Sequence, residues 1–133
     1  MKVIPYLGFR GNAEEALNFY AEVFDGKITF LQHYDQSPME VDEGYSHKVV
    51  HATFVFGENT LMASDMKDQP ETPYSNVQLS VSMDSEEQID RVFTAMSEGG
   101  AVILPLEKQY WGAKFGMIRD KFGILWMFNY DEK

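Results

Sequence analysis

Val3-Ile4-Pro5-Tyr6-Leu7-Gly8-Phe9, a short apolar run, leads into Asn12-Ala13-Glu14-Glu15-Ala16-Leu17-Asn18-Phe19-Tyr20-Ala21-Glu22-Val23-Phe24-Asp25-Gly26, and this strand-then-helix sequence decides the fold. Ala16, Leu17, Phe19, Tyr20, Val23 and Phe24 recur at helical spacing. Asn12 stands where an N-cap belongs, with the Glu15 carboxylate at the third helical position, and Asp25-Gly26 ends the run. The same text returns later in the chain. An apolar-alternating run from Val77 to Met83 leads to Asp84-Ser85, then to Ser85-Glu86-Glu87-Gln88, a capping box. Ile89, Val92, Phe93 and Met96 form the second stripe, and Gly99-Gly100 stops it.

Each helix is followed by strand-like segments. These are Lys27 to Tyr34, Lys48 to Phe56 and Thr60 to Ser64 in the first copy, and Ala101 to Leu106, Lys114 to Arg119 and Ile124 to Tyr130 in the second. Gly57-Glu58-Asn59 and Lys121-Phe122-Gly123 supply the hairpin turns. The chain therefore reads as an α+β fold of two paired βαβββ modules. It is expected to be one domain over residues 1–133, with module one at 1–66, a Pro70- and Pro73-bearing linker at 67–75 and module two at 76–131. Each helix covers one face of its sheet, and the opposite faces are expected to curve into a cup-shaped sheet that holds a small molecule. The segment Asp35 to Ser46 reads as a solvated loop, with a mobile cover over the cup as the alternative.

Composition narrows the function. A chain of 133 residues with 44% hydrophobic content is large enough for a real core, since such domains bury about two thirds of their unfolded surface. No apolar run approaches the roughly 20 residues that span a membrane. The opening residues enter a strand at once and do not resemble a signal peptide, so the cytoplasm is the expected location. Eleven basic residues against 21 acidic ones give a net charge of −10, which disfavours nucleic-acid partners because phosphate backbones are repelled. With no cysteine, disulfides, thiolate metal sites and thiol nucleophiles are all excluded.

Strand alternation sorts side chains by face. Val77, Leu79, Val81 and Met83 belong under the helix, which sends Asn76, Gln78, Ser80 and Ser82 to the cup. Ala52, Phe54 and Phe56 suit the helix side, leaving His51, Thr53 and Val55 on the open face. By the same count Met62 and Ser64 face the cup in one hairpin, and Leu125, Met127 and Asn129 do so in the other. Tyr110-Trp111-Gly112, before the last hairpin, offers aromatic rings at the rim for stacking. The candidate lining is thus His51, Thr53, Met62, Ser64, Gln78, Ser80, Tyr110, Trp111, Met127 and Asn129. His33 and His47 flank the first loop with no evident partner. Ser64 and Ser80 lack a recognisable base and orienting acid, and no glycine pattern forms a dinucleotide or phosphate cradle. No catalytic residue is assigned.

The segments Ile4 to Phe9, Gly11 to Tyr20 with Phe24 and Gly26, His51-Ala52, Leu61-Met62-Ala63-Ser64-Asp65 and Asp120-Lys121-Phe122-Gly123-Ile124-Leu125-Trp126-Met127 resemble PhnB-like proteins. These belong to the vicinal oxygen chelate superfamily, with glyoxalase I, bleomycin resistance proteins and extradiol dioxygenases. The resemblance covers essentially the whole chain. It implies paired βαβββ modules, a cup-shaped site and a homodimer. Metal-dependent members place His or Glu at four cup-facing positions, because divalent ions need several donors at about 2 Å. Alignment puts Pro5, Met62, Asn76 and Met127 at or near those positions. No metal or other cofactor is therefore expected, and the preferred function is binding of a small organic molecule in the cup. The alternative is a metal-dependent lyase, isomerase or dioxygenase with a displaced site of His51 with Asp65 or Glu107. Some relatives carry the label 3-demethylubiquinone 3-methyltransferase. This sequence has no glycine-rich strand-to-helix turn for S-adenosylmethionine, which argues against that activity.

Overall fold

The computed structural model describes residues 1–67 and 75–132. The expected linker thus lies largely outside the described residues. The chain divides into two compact units, Met1–Glu71 and Thr72–Lys133.

In the first unit the order is β1 (Tyr6–Phe9), α1 (Ala13–Phe24), β2 (Lys27–His33), β3 (Val49–Phe56) and β4 (Asn59–Asp65). They form sheet A in the order β1-β4-β3-β2, with β1 parallel to β4 and the other pairs antiparallel. β1 starts at Tyr6, later than the Val3 expected, because Pro5 has no N–H for the ladder; its carbonyl still accepts from the Met62 amide at 3.0 Å. α1 buries Ala13, Ala16, Leu17, Tyr20 and Val23, and Tyr20 lies against Phe54 of β3. The helix ends on Asp25 in the left-handed region, φ 55°, rather than on the glycine after it. Gly26 is required for a different reason: a Cβ there would stand 2.6 Å from the Phe54 ring and from the Val55 carbonyl.

The second unit repeats the order with β5 (Leu79–Ser82), α2 (Glu86–Ser97), β6 (Ala101–Lys108), β7 (Ala113–Arg119) and β8 (Leu125–Asp131). Sheet B runs β5-β8-β7-β6, again with one parallel pair, β5 with β8. The doubled βαβββ plan is therefore the architecture of the molecule. α2 buries Ile89, Val92, Phe93 and Met96. Its Phe93 ring occupies the space above Gly116 of β7, where an added Cβ would meet ring carbon at 2.6 Å.

β5 also starts late, and this corrects the expected strand. Ser75 Oγ accepts from the Val77 amide at 3.1 Å and donates to the Val77 carbonyl at 3.2 Å. That local turn occupies the backbone groups a strand would have used. Val77 is consequently 69% exposed instead of covered by α2, and Asn76 and Gln78 precede the strand.

Candidate functional site

In the first unit, register places Tyr6 opposite Met62 and Met62 opposite Thr53, all on the face of sheet A away from α1. His51, also on β3, joins them: its Nδ1 lies 2.9 Å from the Tyr6 hydroxyl. The two rings are 5.7 Å apart, and the Phe30 ring is 5.9 Å from His51 on the other side. Phe30 reaches this face only because of a bulge. Ile28 pairs with Phe54 and Leu31 with Ala52 on the helix side, so one extra residue between them reverses the parity and sets Phe30 beside Thr53. Simple alternation from Ile28 would have placed Phe30 under the helix. Of the expected lining, His51, Thr53 and Met62 share this face, and Ser64, opposite Gly8, is buried within it.

Asp65, at the end of β4, points the other way. Its Oδ1 accepts from the Gly11 and Ala13 amides and its Oδ2 from the Val49 amide, each at 2.9 Å. The buried Tyr34 hydroxyl donates to the Asp65 carbonyl at 2.6 Å, and burial raises the Tyr34 pKa above its ordinary value of 10.0. Asp65 therefore performs the capping expected of Asn12, whose own side chain makes no cap. With both carboxylate oxygens bound to backbone amides on the helix side, Asp65 does not converge with His51.

The residues at the superfamily's metal positions are poor donors for the ion that the resemblance implies. Met62 and Met127 offer thioethers, Pro5 has no side-chain donor, and Asn76 is an exposed amide ahead of β5. These do not fit a hard divalent ion. Among the described residues no three His, Cys, Asp or Glu side chains gather to hold one.

The two remaining histidines do have partners, contrary to expectation. His33 Nε2 lies 3.0 Å from Glu14 Oε1 of α1, and His47 Nδ1 lies 3.6 Å from Asp35. The Glu14 hydrogen bond raises the His33 pKa above 6.5, against an opposing effect of burial and with help from Gln36 and Asp35. Both pairs tie down segment 34–46, which contains two short 3-10 turns and sets the Tyr34 and Tyr45 rings against each other, tilted, at 5.6 Å. An open cleft of about 330 Å³ lies where α1 begins, between Glu14, Glu15, His47 and Lys48. The Gly11 and Ala13 amides there are taken by Asp65, and Lys48 Nζ donates to the Gly11 carbonyl at 2.9 Å.

In the second unit, Ser80 lies opposite Met127, Met127 opposite Met117, and Asn129 opposite Phe115, on the face of sheet B away from α2. Trp111 packs on Phe115 at 6.2 Å and meets Tyr110 edge-on at 5.1 Å, with Tyr110 otherwise in solvent. Sheet B thus brings together Ser80, Trp111, Met127 and Asn129, and adds Phe115 and Met117, which the sequence reading missed although strict alternation with Ile118 identifies them. Leu125 falls on this face by register but is buried within it, and Gln78 is exposed ahead of the strand. No helix among the described residues is long and apolar enough to cross a membrane.

Comparison with known proteins gives a consistent result. Residues 1–128 match the family described as 3-demethylubiquinone-9 3-methyltransferase. The crystal structure of protein PA1353 from Pseudomonas aeruginosa is 35% identical, with a TM-score of 0.90 and coverage of 100% of this chain and 99% of that one. A PhnB protein from Bacillus cereus is 32% identical over 98% and 99% of the two chains, with a TM-score of 0.84. Protein YjdN from Escherichia coli strain K12 is 23% identical over 97% of this chain and 95% of its own length.

Proposed function

The chain belongs to the PhnB-like family, described as 3-demethylubiquinone-9 3-methyltransferase, within the vicinal oxygen chelate superfamily, and from that premise we propose that it binds a small organic molecule without a metal ion at the superfamily positions. The proposal includes the single ligand-binding domain, the cup and the cytoplasmic homodimer expected from the sequence. One observation carries it: Tyr6, His51 and Phe30 form a ring cluster on an open sheet face that mixes apolar with neutral polar side chains. Ligand sites combine such apolar walls with a few oriented hydrogen-bonding groups. The methionine and aromatic face around Met127 and Trp111 supports the same reading.

Methyl transfer is not part of the proposal. Each sheet has antiparallel hairpins and one parallel pair, unlike the doubly wound parallel sheet that cradles a nucleoside cofactor at a glycine-rich turn.

Thermal unfolding of the intact protein across a metabolite and drug panel tests the reading. A ligand present at about a hundred times its dissociation constant adds about 2.7 kcal/mol, so a true ligand raises the midpoint by several degrees. A panel in which no compound moves the midpoint contradicts small-molecule binding. Sedimentation showing only a 15.3 kDa species contradicts the homodimer.

A further inference from the structure

The Tyr6 hydroxyl and His51 Nδ1 are 2.9 Å apart. A phenol O–H is a strong donor, and an unprotonated imidazole nitrogen is the ring's acceptor, so in the neutral tautomer with bare Nδ1 Tyr6 donates and Nδ1 accepts. The neutral ring then carries its one proton on Nε2, which makes no hydrogen bond among the described residues. On either side stand Tyr6, 46% exposed, and Phe30, 50% exposed, with ring planes at 34° and 47° to the imidazole. Among the described residues of β1 to β4, register puts no carboxylate on this face of sheet A: Asp65 points to the helix side, and Glu58 lies in the turn. In a chain with 21 acidic residues, a face without them favours a ligand rich in acceptors over a cation.

We infer that His51 Nε2–H, oriented by Tyr6, is the hydrogen-bond donor that anchors a planar conjugated ligand through its carbonyl or carboxylate oxygen, with Phe30 against the ligand's ring. This rests on the small-molecule reading above and names the class of molecule and the residue that selects it. Tyr6 is a positioning residue: it fixes the tautomer. An aromatic cation gains ring contacts here but meets an outward N–H and no negative partner, so it binds worse than a carbonyl compound of the same size.

The test uses the full chain, labelled with 15N at histidine, and the probes acetophenone, benzoate, ethylbenzene and benzyltrimethylammonium. Long-range 1H–15N spectra are expected to show His51 as the Nε2–H tautomer, and acetophenone or benzoate to shift its Nε2 signal. Tyr6→Phe mixes the tautomers and weakens acetophenone or benzoate binding, and His51→Ala weakens it about tenfold, the equivalent of 1.4 kcal/mol. His51→Gln, whose amide N–H reaches the same place, restores part of it. An Nδ1–H tautomer, equal affinity in wild type and variants, or equally tight binding of ethylbenzene or benzyltrimethylammonium overturns the inference. Probe binding that changes Trp111 fluorescence and leaves the His51 signals unmoved overturns the anchor but leaves the small-molecule reading standing. Absence of binding by all four probes at millimolar concentration overturns the anchor, while the wider panel decides the parent reading separately.

Discussion

Two helices of twelve residues each start in different ways. α2 is capped by its own sequence: Ser85 Oγ accepts from the Gln88 amide at 3.0 Å, and Gln88 Oε1 accepts from the Asp84 amide at 2.7 Å. α1 is capped from the end of β4 by Asp65, beside the end of β1 in the sheet but 52 residues away in sequence from the Ala13 amide it binds. The local device orders one turn. The distant one ties the start of α1, the start of β3 and the end of β4 to a single carboxylate. The second unit has its own buried aspartate, Asp120, but that one also acts locally. It accepts from the Phe122 and Ile124 amides and from Trp126 Nε1, closing the β7–β8 turn. The first unit therefore depends on long-range polar closure and the second on short-range motifs. The carboxylate nearest in sequence terms to a metal role is the one most fully committed to the fold.

The largest break in this comparison is expected from Asp65→Ala. It orphans three amides, and each buried donor left unpaired costs about 1–3 kcal/mol, so urea unfolding should show a loss of about 3–5 kcal/mol. Asp120→Ala removes at least three bonds, but two of them are part-buried and lie within one turn. The expected loss is smaller, about 2–3 kcal/mol on the same scale, and equal losses from the two variants contradict the distinction between long-range and local closure. Ser85→Ala should cost only about 1 kcal/mol, the usual value of an N-cap. Asn12→Ala, by contrast, should change stability little, because the Asn12 side chain caps nothing.

The smallest effect sharpens the comparison by pH. His33, at the end of β2, pairs with Glu14 in the first turn of α1, and its pKa is raised above 6.5. The protonated ring is favoured in the folded state. Its contribution is therefore fully present below 6.5 and lost as pH rises through the raised value. An exposed pair is worth at most about 1 kcal/mol. Urea midpoints of wild type and His33→Gln should differ in mild acid and converge in mild base; a gap independent of pH contradicts the pairing.

How much of this was legible in the sequence follows from the range of the interactions. α2 was legible to its cap because Ser85 and Gln88 are three residues apart. α1 was legible as a helix, but its cap was assigned to Asn12 because nothing local announces Asp65. His51, Thr53 and Met62 fell on the open face by alternation alone. Phe30 did not, because a bulge one residue long reversed the parity of β2. Tyr6 was visible as a strand residue, yet its bond to His51 spans 45 residues and two strands that are not neighbours in the sheet. The late start of β5 depended on a single serine hydroxyl competing for the Val77 backbone.

Metal analysis of protein purified without chelator, carried out on wild type and His51→Ala side by side, tests the account at its centre. With Asp65 bound to three amides and His51 held by Tyr6, zinc, nickel, manganese and iron should all be far below one ion per chain in both proteins. One ion per chain in the wild type that disappears in His51→Ala contradicts it.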